Sequence, residues 1–232
     1  MKSRDVELLL NQGTSLTEIE ASTVLATYGV PFPPMILTTS PEEAQEAVRR
    51  MARQVMMKVV SRDILHKSNA GGVIGGVTEE TAVASYERII ESVQKAHPQD
   101  VIDGVLVQEE ASGGIEVIIG AVSDAQFGHA VMFGFGGVFT EVLNDVAFRI
   151  APITEREAEE MIHETRGVAL LRGQRGQPRA DIKALCYIIV AVSRLVEDHP
   201  QISELDLNPV IVRSGGAIAV DAVIRTEAIA QA

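Results

Sequence analysis

Three apolar runs, Val105 to Glu110, Glu116 to Val122 and Ala130 to Phe135, follow one another with only Ser112-Gly113-Gly114 and Ser123-Asp124-Ala125-Gln126 as polar breaks. Breaks this short leave no room for a crossover helix, so the runs must pair antiparallel. Near the C-terminal end, Glu204 to Val212 and Ala217 to Ile224 are separated by Arg213-Ser214-Gly215-Gly216, a hairpin signal. Helices are expected between these groups of strands, at Thr154 to Glu164 and Asp181 to Glu197.

The first hundred residues read differently, as strand alternating with helix. Ser15-Leu16-Thr17-Glu18 fits a capping box opening a helix to about Tyr28, which Gly29-Val30-Pro31 ends. A strand at Met35 to Thr39, a helix at Pro41 to Arg53, strands at Val55 to Val60 and Val73 to Val77, and a helix at Glu79 to Ala96 follow. The fold class is therefore α/β in the mixed α+β sense. Two lobes are expected, residues 1–100 and 101–232, and 46% hydrophobic residues in a 232-residue chain suffice for their cores.

Charge narrows the function. With 32 acidic against 20 basic residues the net charge is −12, which repels nucleic acid and anionic membranes. No run approaches the roughly 20 apolar residues a membrane span needs. The single cysteine, Cys186, cannot form an internal disulfide and reads as a core residue in a reducing compartment, so the chain is expected to be cytoplasmic.

The chemistry concentrates in Lys58 to Gly76, KVVSRDILHKSNAGGVIGG. Lys58 interrupts an apolar strand, so its ammonium must either reach the strand end or find an anion. His66 stands between that strand and Gly71-Gly72; a neutral imidazole is a competent nucleophile near pH 7. The other histidines sit at helix ends, in a turn or in a polar helix. Asp206 and Asn208 in ELDLNPV lie two apart and share a strand face, and Asp221 breaks a second apolar run across the hairpin. Such oxygen donors suit Mg²⁺, although Asn208 before Pro209 also suits a turn. Gly134, Gly136 and Gly137 follow a strand without a following helix, which fits a close backbone approach or bulge and not a dinucleotide fingerprint.

Together these segments resemble, over nearly the whole chain, the ATP-grasp domain of NDP-forming acyl-CoA synthetases, and most closely the β subunit of ADP-forming acetate–CoA ligase. The resemblance rests on ordered blocks: EIEASTVLATYGVPFP, KVVSRDILHKSNAGGV, GVLVQEEASGGIEVIIGAVSDAQFGHAVMFGFGGVFTEVLNDVAFRIAP, ALLRGQRGQPRADIKAL, SRLVEDHPQISELDLNPVIV and AVDAVI. It implies a two-lobed fold that clasps ATP or ADP between its lobes. It implies that His66 carries a phosphoryl group, that Lys58 contacts phosphate, and that Gly71 and Gly72 present amides to it. Glu109 and Glu110 would lie along a hinge by the adenine, with Glu116 near the ribose, and Asn208 and Asp221 would be ligands of Mg²⁺.

The resemblance also implies a separate α subunit, carrying CoA-binding and phosphohistidine domains, in an α2β2 heterotetramer. The 232 residues contain neither domain, so the reversible conversion of acyl-CoA, ADP and phosphate to acid, CoA and ATP would need both subunits. Two departures stand out: Asn69 where the motif commonly has aspartate, and Glu110 where it often has methionine. Alternative readings are a nucleotide-sensing module without turnover, a succinyl-CoA synthetase-like β subunit, and a ligase acting alone.

Overall fold

In the computed structural model, residues 3–11, 13–51, 53–64, 67–136, 145–173 and 178–227 are described. The chain divides into two compact units, one of Pro33–Ser112 and one of Met1–Phe32 with Gly113–Ala232.

In the Pro33–Ser112 unit, a four-stranded sheet carries β1 (Met35–Thr38), β2 (Val55–Val60), β3 (Val73–Val77) and β4 (Gly104–Glu109) in the order β1-β4-β2-β3. All its pairings are antiparallel. The helices of this unit form as amphipathic covers. The one at Pro41–Met51 turns Ala44, Ala47 and Val48 inward, and the one at Ala82–Ala96 turns Ala82, Tyr86, Ile89 and Val93 inward, three or four residues apart. They pack with Met57, Val59, Val105 and Val107 into one apolar cluster. The sequence alone places a boundary near Val101, whereas β4 pairs with both β1 and β2 and so falls in the unit that ends at Ser112.

The other unit holds a six-stranded sheet of β5 (Ile115–Asp124), β6 (Gly128–Phe135), β7 (Val146–Ile150), β8 (Ile202–Arg213), β9 (Gly216–Ala219) and β10 (Val223–Thr226). The order is β10-β8-β5-β6-β7, with β9 also on β8, and every pair is antiparallel, as the short polar breaks require. Its largest helix, Ile182–Asp198, buries Leu185, Ile189, Val192 and Leu195 in the same cluster as Phe133, Phe135 and Leu207. Cys186 is buried there, and burial pushes its thiol up to about 11, which leaves it unreactive. Among the described residues no helix is long and apolar enough to cross a membrane.

Two local expectations need correction. A helix at Ser3–Leu10 comes first, and the helix expected after Ser15 begins at Glu18 with a capping box of Thr17 and Glu20, not Ser15 and Glu18. Ser15 is drawn off into a β-bridge with Arg225, and Leu16 N donates to Ile224 O, so tertiary pairing holds the chain extended until Thr17. The expected strand from Ala217 to Ile224 is interrupted: β9 stops at Ala219 and β10 starts at Val223. Asp221 lies in the gap.

Candidate functional site

The Pro33–Ser112 unit carries Lys58, Gly71, Gly72, Glu109 and Glu110. Lys58 is in the middle of its sheet, opposite Leu106 on β4 and Val73 on β3, and retains 3% exposure. Lys58 is therefore a buried residue of a central strand. Taking an ammonium out of water costs several kcal/mol unless acceptors hold it, and Lys58 is engaged in an interaction within the chain.

His66 lies outside the described residues, as does Leu65, and the chain is described up to Ile64 and again from Lys67. Ile64 is buried on one side. On the other, a tight turn folds back onto β2: Gly71 N donates to Ser68 O at 3.2 Å, Gly72 N donates to Lys67 O at 2.8 Å, and Val59 N donates to Gly72 O at 2.7 Å. The expectation that Gly71 and Gly72 offer amides to phosphate is corrected here, because both amides are spent inside the turn. Their glycines serve geometry instead. Gly71 has φ of +69°, and a Cβ on Gly72 would stand 2.6 Å from Val59 Cγ1 and 3.0 Å from the Lys67 carbonyl.

Glu109 and Glu110 end β4 and behave differently. Glu109 pairs with Arg53, Nη1 to Oε1 at 2.5 Å, and its amide donates to Pro34 O. The Glu110 amide donates to Gln54 O, but its Oε2 is buried with no hydrogen-bond partner.

The second unit carries Glu116, Asn208 and Asp221. Glu116 is exposed on β5, and Gly136 N donates to its carbonyl at 2.9 Å. A Cβ on Gly136 would stand 3.1 Å from Glu116 Cβ, so this glycine of the FGFGG segment allows the close approach foreseen for it.

Asn208 and Asp221 converge through an irregularity in the sheet. On β5 the pairing passes from Val117↔Val210 to Ile119↔Leu207, so two β8 residues, Asn208 and Pro209, stand against one on β5. That is a β-bulge, a device that re-aims side chains. On the other side of β8, pairing with β9 ends at Val210↔Ala219 and resumes with β10 at Asp206↔Val223. Val220 N donates to Pro209 O at 2.9 Å, which holds the gap residues against the bulge.

Asp206 completes this group, and no role for it beyond sharing a face with Asn208 follows from the sequence. Burial, then the charges of Glu204 and Asp221, push its carboxyl up to about 6, while a hydrogen bond with Asn208 pulls the other way. Beside it Gly120 permits a close approach: a Cβ there would be 3.3 Å from the Leu205 carbonyl oxygen and 3.8 Å from Asp206 Oδ1. Carboxylates crowded against one another are the arrangement a divalent cation relieves. Among the described residues no three His, Cys, Asp or Glu side chains form a metal cage of their own. Mg²⁺ does not need one, since it takes one or two protein oxygens and fills its shell with phosphate and water. Asn208 and Asp221 fit that pattern.

Comparisons with known proteins identify the family of the chain. A family model described as an ATP-grasp domain matches residues 7–226. The acetate–CoA ligase [ADP-forming] II subunit beta of Pyrococcus furiosus is 45% identical, over 94% of this chain and 94% of that one. The acetate–CoA ligase [ADP-forming] I of Archaeoglobus fulgidus is 43% identical over 93% of this chain, which spans only 32% of that longer relative. Among solved structures, a dinucleotide-forming acetyl-coenzyme A synthetase 1 of Ca. Korarchaeum cryptofilum, in complex with coenzyme A and Ca-AMPCP, matches with a TM-score of 0.93 at 42% identity, over 97% of this chain and 100% of that one.

Proposed function

We propose, since this chain belongs to the ATP-grasp domain family that includes the β subunits of ADP-forming acetate–CoA ligases, that it is the nucleotide-handling subunit of a reversible acid–CoA ligase. The observation that carries the reading is the end-to-end match to a β subunit, 45% identity over 94% of both chains. The reaction converts acyl-CoA, ADP and phosphate to the free acid, CoA and ATP. A separate α subunit, in an α2β2 assembly, supplies CoA binding and the first phosphohistidine, and a cytoplasmic nucleotide pool supplies ADP.

Within this chain, the buried Lys58 ammonium binds phosphate oxygens as a fixed point charge. The turn at residues 67–72 fixes the C-terminal flank of His66. In the synthetic direction, a His66 ring nitrogen forms a bond to phosphorus as the partner's phosphohistidine releases it. A terminal oxygen of ADP then attacks the same phosphorus, and His66 leaves as neutral imidazole. Two short transfers replace one long one. Glu109 and Glu110 lie along the base and Glu116 near the ribose. Asn208 and Asp221 hold Mg²⁺, which offsets charge on the phosphoryl oxygens when it is bound with nucleotide.

Titration calorimetry of ADP into the full chain tests the binding half of this reading. ADP is expected to bind with one site per chain in Mg²⁺, and at least about tenfold more weakly in EDTA, the equivalent of roughly 1.4 kcal/mol of cation–phosphate attraction. Equal affinity in both buffers would remove the metal from the account.

A further inference from the structure

We propose that the exposed apolar half of the six-stranded sheet, around Phe148 and Ile150, is the surface on which the separate α-type subunit docks. The inference rests on the two-subunit reading above and specifies which face of this chain the partner covers.

The register of the sheet lines up two ranks of side chains on one face. One runs Val223, Asp206, Gly120, Met132, Phe148 across β10, β8, β5, β6 and β7, and the next runs Arg225, Glu204, Val122, Ala130, Ile150. The alternate residues Ala121, Val131, Phe133, Ala147 and Leu205 are buried in the cluster that holds the helix Ile182–Asp198, so the two ranks lie on the opposite face. A solvated face of an antiparallel sheet is ordinarily polar. Here the polar residues Asp206, Glu204 and Arg225 are confined to β8 and β10, and Glu204 pairs with Arg225 at 2.7 Å. On β5, β6 and β7 the same ranks carry no charge, and Val122, Phe148 and Ile150 keep 49%, 52% and 47% exposure. Phe127, in the turn that joins β5 to β6, keeps 66%. Apolar side chains gathered in this way mark a surface that another protein covers.

The occupant is received on the face and not as an added strand. At the β7 edge Arg149 donates to the Phe148 carbonyl at 2.8 Å and also pairs with Glu164, which blunts that edge. Two observations assign the face to the α-type subunit and not to a second copy of this chain. This chain spans only 32% of the longer Archaeoglobus fulgidus relative, so most of that relative lies outside the shared region and supplies the larger body of protein that the inference seats here. The apolar ranks are also continuous with Asp206, beside Asn208 and Asp221. With neighbouring strands about 4.8 Å apart, Phe148 on β7 stands roughly 14 Å across the sheet from Asp206 on β8. A subunit that hands over a phosphoryl group has to arrive beside the Mg²⁺ ligands, and a second copy of this chain does not.

A purified α-type subunit is titrated by calorimetry into the full chain and into its Phe148→Ser and Ile150→Ser variants, with melting temperature and ADP binding in Mg²⁺ measured for each. Each substitution is expected to weaken α-subunit binding about tenfold or more, as loss of an apolar anchor at an interface does, while ADP affinity stays within about twofold. Amide exchange reads the face without any substitution: added α subunit should slow exchange at residues 125–130 and 146–150 of the wild type. Where a variant melts far lower, that exchange result decides alone. Unchanged α-subunit affinity in both variants, no protection of those residues, or a dimer of the wild-type chain alone that Phe148→Ser abolishes overturns the inference and leaves the nucleotide-binding reading standing. Absence of ADP binding by the wild type overturns that reading, and the inference with it.

Discussion

Replacing His66 with alanine is expected to lower ATP formation by the two-subunit enzyme by roughly four orders of magnitude or more, the scale seen when a covalent nucleophile is deleted. The relay has no substitute for the lost nitrogen. The other histidines are placed for other work: His129, for example, is buried with its Nε2–H donating to Ile202 O, as a structural bond in the second sheet. ADP binding should survive the substitution within about twofold, because Lys58, Asn208 and Asp221 remain and a neutral imidazole adds little to ground-state affinity. A stopped assay of ATP from acetyl-CoA, ADP and phosphate, run beside ADP calorimetry, separates the two effects. Full ATP formation by the variant would refute the carrier role of His66.

Substitution of Asp221 by alanine should have the second largest effect, a loss of turnover of roughly a hundredfold or more at ordinary Mg²⁺. Its signature is that stability should not fall with activity. Burial, then the charges of Glu204 and Asp221, raise the Asp206 carboxyl, so removal of Asp221 relieves the smallest of these contributions. Among the hydrogen bonds lost is a local one, from the Ala222 amide to Asp221 Oδ1. Without Mg²⁺, the variant is therefore expected to melt within a few degrees of the wild type, or above it, since relief of like-charge crowding is stabilising. Added Mg²⁺ with ADP should raise the melting temperature of the wild type and not of the variant. A variant that melts far lower but keeps the Mg²⁺ response would make Asp221 a structural residue.

Much of the fold was legible because local and tertiary preferences agree. β2 and β3 form at the expected residues, and Thr154 and Asp181 cap their helices by accepting hydrogen bonds from Glu157 N and Ala184 N. The legibility failed where distant chain intervened. Ser15 satisfies a capping pattern, but the backbone beside it is claimed by β10, more than two hundred residues away. The alternation in AIAVDAVI reads as unbroken strand, and only the pairing on β8 shows that the Val220 to Ala222 segment must leave the ladder to meet the bulge at Asn208.

The site divides in the same way. Residue type and spacing point to Asn208 and Asp221 as oxygen donors, and place Asp206 on the face of Asn208, because a strand alternates with period two. Burial and mutual charge are properties of three strands brought together, so the perturbed Asp206 carboxyl had no signal in the sequence. Gly71 and Gly72 show the opposite failure. A glycine pair beside a lysine suggests amides aimed at phosphate, yet the pair is needed because one residue has positive φ and the other touches Val59 and the Lys67 carbonyl.

The central claim is that this chain supplies nucleotide chemistry and a separate subunit supplies CoA chemistry. Its most direct test is reconstitution: ATP formation from acetyl-CoA, ADP, phosphate and Mg²⁺ is followed for this chain alone, for a purified α-type subunit alone, and for the two mixed. The account predicts no turnover from either protein by itself and ATP formation from the mixture. ATP formation by this chain alone, or ADP binding with no turnover in the presence of its own α-type partner, would contradict it.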